Sequence, residues 1–232
     1  MARTKEAVSP PGFEGRIVGV VGTKDTGKTR IVEVLVKYLR RRGYSVATVK
    51  HIHGKVAFEP AAVDSARHFA AGAGSVVTVS GDAIYLTADQ PLADPEAALA
   101  RICARYLAAF DYVIVEGFKH VAIPKIVVRR RPGDTPRALS NVVAYVYSGP
   151  KPKDLPAFTH SEVKKLGAFL LKSGILAKPG TRIHLSVNDA PIPMNEFVRS
   201  ALTGVLEGFI SSLRDVEPPE KIEITASHLR KQ

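Results

Sequence analysis

A short segment near the amino terminus constrains the fold of this chain more than any other. Residues 22–29 read Gly-Thr-Lys-Asp-Thr-Gly-Lys-Thr and match the pattern G-x-x-x-x-G-K-[ST] at every position. An apolar run at 16–21 precedes them, and apolar residues at helical spacing follow at 29–42. A buried strand, a glycine-rich turn and a helix in this order are typical of a phosphate-binding loop.

The residue types in this loop each have a chemical reason. Gly22 and Gly27 let the backbone curl so that N–H groups face a phosphate, and the following helix adds its positive end. Lys28 can place a charge on the β- and γ-phosphates, while the Thr29 hydroxyl can ligate Mg²⁺. The alternative is a chance glycine turn that caps a helix, which the matching strand and helix disfavour. Lys24 is expected to be a solvated side chain near the γ-phosphate.

Strands and helices are predicted to alternate along most of the chain. The predicted strands are 16–21, 44–49, 75–79, 83–87, 111–116, 123–129 and 142–147, and the predicted helices are 29–42, 61–73, 95–110 and 160–172. Such alternation predicts a three-layer α/β P-loop domain whose mostly parallel sheet is covered on both faces.

A turn-rich segment at 178–180 separates this body from a predicted tail. The tail contains a strand at 182–187, a helix at 195–213 and a strand at 221–225, which together predict a small β-α-β extension. We therefore expect a flexible leader at 1–15, a nucleotide-binding domain at 16–177 and an extension at 178–232.

The composition limits the possible partners. A net charge of +11 favours anionic partners such as nucleotides or acidic proteins. Tryptophan is absent and no nucleic-acid-binding signature occurs, so direct nucleic-acid binding is not expected. A single cysteine, Cys103, excludes an internal disulfide and a cysteine-built metal site. No apolar run is long enough for a membrane span, and we expect a cytoplasmic protein.

A carboxylate is expected beside the loop, because magnesium nucleotides usually need one at the tip of a neighbouring strand. Asp111 begins the predicted strand at 111–116 and Glu116 ends it. Ligands bind at the carboxyl ends of parallel strands, which selects Glu116 and rejects Asp111. Gly117 then leaves room for backbone close to the phosphates. The alternative is a carboxylate that happens to follow a core strand.

Several further segments occur in an order that resembles a known family. They are Thr48-Val-Lys-His-Ile-His53, Asp64-Ser65 with Arg67, Ala71-Gly-Ala73, Val113-Ile-Val-Glu-Gly-Phe-Lys-His120 and Ile123-Pro-Lys125. With the loop, they resemble the MobB family of molybdopterin-guanine dinucleotide biosynthesis, a branch of dimeric P-loop proteins. The resemblance covers 16–131 and fades towards 172, and the tail resembles an extension of some archaeal members.

The resemblance implies a binding site for Mg-GTP. The implied nucleotide-binding residues are Gly22, Thr23, Lys24, Asp25, Thr26, Gly27, Lys28, Thr29, Lys50, His51, Arg67 and Lys119. His53 would join Lys50 and His51 on the γ-phosphate side, while Asp64, Ser65 and Arg67 would form a mobile switch-like element. Glu116 and Asp64 are the catalytic candidates, and Thr29 and Glu116 are the magnesium ligands.

Some of these residues have simpler interpretations. Asp64 is also a good N-cap for a following helix, and the alternative for Lys119 is a solvated loop residue. His51 and His53 could hold zinc, but no complete set of four ligands can be assembled. Gly54 stands where family members often have another histidine. No N-K-x-D guanine signature occurs, so guanine specificity comes from the resemblance alone.

The resemblance implies an accessory protein for guanylylated molybdenum (or tungsten) cofactor assembly, which binds Mg²⁺ and GTP. It would be a homodimer that hydrolyses GTP slowly and acts with a molybdopterin guanylyltransferase. Three alternatives stay open. A small-molecule kinase would need lid arginines, for which 129–131 is the candidate, and a metallochaperone-type GTPase would bind metal through His51 and His53. A non-enzymatic module would use nucleotide only to fix its shape.

Overall fold

The computed structural model describes residues 9–10, 12–52, 67–68, 70–88, 94–179, 183, 185–187, 190–213 and 222. The strands are β1 (Ile17–Val21), β2 (Val46–Lys50), β3 (Ser75–Val79), β4 (Ile84–Ala88), β5 (Tyr112–Glu116), β6 (Lys125–Arg129), β7 (Val142–Tyr147), β8 (Ala157–Thr159), β9 (Ser186–Val187) and β10 (Ala190–Pro191). The helices are α1 (Lys28–Arg40), α2 (Pro95–Tyr106), α3 (Val163–Lys172) and α4 (Glu196–Ser211), with a 3₁₀ turn at Pro132–Asp134.

The central sheet is parallel throughout, with strand order β2-β5-β1-β6-β7-β8. All residues of β1 are buried, as expected for a strand that lies inside a sheet covered on both faces. Because the strands are parallel, their carboxyl ends meet at one edge, and the 22–29 loop lies there between β1 and α1.

Helices cover both faces of this sheet. Helices α1 and α3 pack on one face, through Leu35 and Leu166 among others. Helix α2 packs on the opposite face, where Leu99 and Cys103 contribute to a second apolar cluster. Burial raises the pKa of the Cys103 thiol to about 12, consistent with a small core residue. The prediction of a three-layer α/β fold is confirmed.

Several predicted boundaries are wrong for local reasons. Strand β2 begins at Val46 and not at 44, because the Ser45 N–H donates to the Asp111 carboxylate (2.7 Å). Helix α2 stops at Tyr106 and not at 110, since Leu107 leaves helical geometry as the C-cap. Strand β6 begins two residues later than predicted, immediately after Pro124, which has no N–H to donate.

The predicted hairpin at 75–87 is confirmed as β3 and β4, which pair with each other outside the central sheet. The tail differs from the predicted β-α-β unit. Strands β9 and β10 form a short antiparallel ladder before α4, and β9 (Ser186–Val187) is the strand among the described residues of the segment predicted at 182–187. The strand predicted at 221–225 and most of the helix predicted at 61–73 lie outside the described residues.

Within the part of the chain that the structure describes, no helix has the length and apolar character needed to cross a membrane. The division of the chain at residues 15 and 177 stays a prediction.

Candidate functional site

The 22–29 loop passes very close to the neighbouring strand β6. A Cβ atom on Gly22 would lie 2.4 Å from the carbonyl oxygen of Val128 and 2.8 Å from Oγ1 of Thr26. Backbone cannot move away cheaply at such a distance, so glycine is required here by space. The absence of a side chain at Gly22 therefore allows the loop to lie directly against the backbone of β6.

The turn of the loop is held by its own atoms. Thr26 is buried, and its hydroxyl donates to the carbonyl of Thr23 (3.0 Å). Asp25 and Gly27 both adopt left-handed backbone conformations, with φ of 60° and 91°. Such alternation of left- and right-handed residues lets successive N–H groups converge on an anion. Helix α1 begins immediately afterwards, so its unpaired N–H groups face the same space.

The side chain of Lys28 folds back over the loop. Its Nζ donates to the carbonyl of Thr23 (2.5 Å). Partial burial lowers the pKa of this amine, while the carboxylate of Glu116 opposes that shift and the cation of Lys119 adds to it. The contact with Thr23 places the amine over the loop, in reach of any phosphate bound there.

Glu116 meets the loop from the end of β5. Its two carboxylate oxygens each lie 3.1 Å from the Thr29 hydroxyl, and Oε1 lies 3.5 Å from Nζ of Lys50. The ion pair follows from the register, since Lys50 pairs with Glu116 across β2 and β5. The side chain of Glu116 is only 12% exposed, so this group is largely shielded from water.

These oxygen atoms fit a hard divalent cation. A hydroxyl beside a carboxylate is a donor set that Mg²⁺ accepts, with phosphate and water oxygens filling the other positions. Among the described residues, no group of three or more His, Cys, Asp or Glu side chains could hold a metal on its own. A cation at Thr29 and Glu116 would thus depend on the bound phosphates.

Asp111 lies at the opposite edge of the sheet and has a structural role there. Its Oδ2 accepts hydrogen bonds from both the backbone N–H and the hydroxyl of Ser45, at 2.7 and 2.8 Å. Strand polarity predicted that Glu116, and not Asp111, would face the loop. The structure places Glu116 beside Thr29 and Asp111 at the opposite edge, beside Ser45.

His51 continues β2 past the site. Its N–H donates to the carbonyl of Glu116 (2.9 Å), and its ring packs against Phe118 with centroids 4.7 Å apart. Gly117 has a φ of 94°, and a Cβ there would lie 3.1 Å from Cβ of His51. His51 thus has a packing role that the sequence did not reveal.

The remaining predicted site residues are placed as follows. Lys24 is exposed on the loop, and Arg67 is exposed in a helical turn. His53, Asp64 and Ser65 lie outside the described residues. The switch-like role of this element and the catalytic role of Asp64 stay predictions.

One residue that sequence reasoning did not assign, His160, also reaches the loop, and Ser148 contacts it from behind. The His160 ring follows β8, with Nε2 at 3.3 Å from the Thr26 carbonyl and Nδ1 at 3.3 Å from Oγ of Ser148, which follows β7. The local signal in the sequence is Thr159-His-Ser-Glu162, a T-x-x-E pattern of the kind found near helix starts, and α3 begins directly after it at Val163. That pattern locates a helix start, but it does not tell which loop the histidine faces.

Known proteins resemble this chain in sequence and in fold. A family model described as molybdopterin guanine dinucleotide synthesis protein B matches residues 17–148. A molybdopterin-guanine dinucleotide biosynthesis adapter protein of Haemophilus influenzae is 31% identical over 115 residues, which cover 50% of this chain. That alignment spans 64% of the relative's length, just under two thirds.

A putative adapter protein of the same description from Methanocaldococcus jannaschii is 26% identical over an alignment that covers 93% of this chain and 100% of the relative. The archaeal match therefore includes the tail. Among solved structures, molybdopterin-guanine biosynthesis protein B superposes with a TM-score of 0.55 at 28% identity, over 68% of this chain and 98% of the other. A MobB homologue from Bacillus stearothermophilus gives 0.52 at 26% identity, over 68% and 97%.

Proposed function

The chain belongs to the family of molybdopterin guanine dinucleotide synthesis protein B, and we propose that it is an Mg-GTP-binding adapter in the assembly of the guanylylated molybdenum cofactor. One observation carries the nucleotide part of this proposal. The Lys28 amine, the Thr29 hydroxyl and the Glu116 carboxylate gather at the mouth of a phosphate-binding loop.

Each group has a distinct task in the proposed complex. The loop N–H groups and the α1 amino end bind the β-phosphate. Lys28 exchanges its contact with the Thr23 carbonyl for phosphate oxygens. Thr29 and Glu116 hold Mg²⁺, which would neutralise phosphate charge when bound. The proposed preference for guanine rests on family membership, because no guanine-binding contact can be assigned to a described side chain.

Hydrolysis of GTP is proposed to be slow. The carboxylate nearest the γ-phosphate side is Glu116, and it is already engaged by the Thr29 hydroxyl and the Lys50 amine. Because its oxygen atoms are already in contact with these partners, the carboxylate is poorly placed to take a proton from an attacking water. Binding is therefore the main activity, and a guanylyltransferase partner would carry out the transfer.

This proposal predicts GTP-dependent association with a molybdopterin guanylyltransferase. We expect the tagged full chain to retain the transferase in the presence of Mg-GTP, and to retain much less of it with EDTA. The measurement is a pull-down with purified components, with a Lys28→Ala variant as the nucleotide-free control. The adapter role would be wrong if the transferase fails to bind in every nucleotide state.

The β3–β4 hairpin suggests how the chain would form its proposed homodimer. Val77 pairs with Leu86, and Val79 pairs with Ile84, which places all four side chains on one face of the hairpin. They are 55%, 45%, 70% and 72% exposed. A two-stranded hairpin is marginally stable in water by itself. Self-association through this neutral face would bury it without bringing together like charges of a chain that carries +11.

We expect Ile84→Lys to convert the dimer into a monomer, because each interface would then bury two uncompensated charges near its symmetry axis. Light scattering after size exclusion measures the mass. The matched control is Tyr85→Lys, which adds the same charge on the opposite face and should leave the dimer intact. A monomeric parent chain, or a dimeric Ile84→Lys variant, would contradict this interface.

A further inference from the structure

The two flanks of the phosphate loop differ in chemistry. On the side of β5 and β2, the loop meets the Glu116 carboxylate and the Lys50 amine. On the side of β7 and β8, it meets the His160 ring, which in turn contacts the Ser148 hydroxyl. The metal and γ-phosphate belong to the first flank, so the second flank lies away from them, beside the Thr26–Gly27 peptide.

The contacts of His160 define its protonation at one nitrogen. A carbonyl oxygen can only accept a hydrogen bond, so Nε2, which lies 3.3 Å from the Thr26 oxygen, must carry the proton. In the neutral ring, Nδ1 is then the acceptor for the Ser148 hydroxyl, 3.3 Å away. The Thr26 carbonyl therefore selects the tautomer, and the Ser148 hydroxyl, which can donate as well as accept, is compatible with it.

The turn that carries His160 is itself fixed. The Glu162 carboxylate accepts from the Thr159 N–H (3.1 Å) and hydroxyl (3.2 Å). Lys165 adds an ion pair to the same carboxylate at 2.8 Å. These hydrogen bonds, that from Lys165 foremost, lower the pKa of Glu162 to about 2, so it remains ionised at neutral pH. Pairing of β8 with β7 fixes the other side of the turn.

The consequence follows from peptide planarity. The Thr26 carbonyl and the Gly27 N–H belong to one planar trans peptide, so they point in opposite directions. With the carbonyl held towards His160, the Gly27 N–H points away from it. No described residue accepts a hydrogen bond from this N–H, which leaves it available to a phosphate oxygen.

We propose that His160 is a positioning residue for phosphate binding, which holds the Thr26–Gly27 peptide in the orientation that presents the Gly27 N–H to the ligand. This inference rests on the proposed nucleotide binding at the loop. His160 acts through the loop backbone, so its effect extends to any ligand with a triphosphate group, whether or not a nucleoside is attached.

The test compares GTP with inorganic triphosphate, in the presence of Mg²⁺, by calorimetry. Since one hydrogen bond is involved, we expect His160→Ala and His160→Phe to weaken both ligands about five- to tenfold. His160→Gln keeps an N–H donor and should recover part of the loss, while the phenyl ring keeps the bulk without the donor. Nitrogen-15 spectra of the ligand-free chain should show His160 protonated at Nε2 and bare at Nδ1.

The outcomes separate this inference from the function that it rests on. Unchanged affinities in His160→Ala, or a loss confined to GTP, would overturn the positioning role while leaving nucleotide binding in place. A ring without a proton at Nε2 would overturn it independently of any ligand. If the parent chain binds neither ligand, the proposed function is wrong and the inference fails with it.

Discussion

Replacing Lys28 by alanine is expected to weaken Mg-GTP binding by at least about 100-fold. A charge-assisted hydrogen bond contributes about 1.5–3 kcal/mol, and the amine would serve two phosphate groups. The fold should survive, because the Lys28 amine donates to a loop carbonyl and Lys28 belongs to none of the apolar core clusters. Calorimetric titration measures the affinity, and thermal unfolding followed by circular dichroism measures the stability.

The matched control for this variant is Lys37→Ala. Lys37 is an exposed lysine in the last turn of the same helix, α1, far from the loop end. The Lys37→Ala substitution removes the same charge. It should leave the affinity for Mg-GTP within about twofold of that of the parent chain, since long-range charge effects are weak at physiological salt. If Lys28→Ala still binds GTP as tightly as the parent chain, phosphate is not bound by this loop in the way described.

Replacing Gly22 by alanine is expected to damage both stability and binding. The added Cβ would lie 2.4 Å from the Val128 carbonyl oxygen, and that backbone belongs to a buried strand. Overpacking of this kind costs about 1–3 kcal/mol. For a chain of this size we expect the Tm to fall by about 3–10 °C. The loop must also move away from β6, so the affinity for triphosphate should fall at least about tenfold, as several loop N–H groups lose their alignment.

Gly208→Ala separates the steric effect from the general effect of removing a glycine. Gly208 lies within α4, and a Cβ there would meet no atom within 4 Å. Alanine favours a helix interior over glycine by about 1 kcal/mol, so this variant should be neutral or slightly stabilised. A Gly22→Ala variant that melts and binds like the parent would show that the loop does not sit against β6 as described.

Prediction from the sequence succeeded where short-range patterns carry the information. Strand β1, the loop and α1 are contiguous, so apolar periodicity and two glycines suffice to place them. Glu116 could be selected because strand polarity alone decides which end of a strand faces the loop. The hairpin at β3 and β4 was also predictable, since alternating residues flank a turn at Gly81.

The failures concern contacts between distant segments. Strand β8 has three residues, too few to show a period, and it forms because its backbone pairs with β7. The contact of His160 with Thr26 spans 134 positions in the sequence. Nothing local to His160 indicates that partner, because the meeting point is set by the order of strands in the sheet. For the same reason, the packing of His51 on Phe118 could not be predicted.

The separation of the site residues along the chain has a consequence for folding. Thr29 and Glu116 are 87 residues apart, and they meet only when β5 has inserted beside β1. Pairing between such distant segments is slow to form, because a large loop must close first. A nascent chain that has exposed only β1 and α1 should therefore have little affinity for a triphosphate. Nucleotide then binds the finished sheet selectively and shifts the equilibrium towards it, so ligand supply would protect newly made chains from proteolysis.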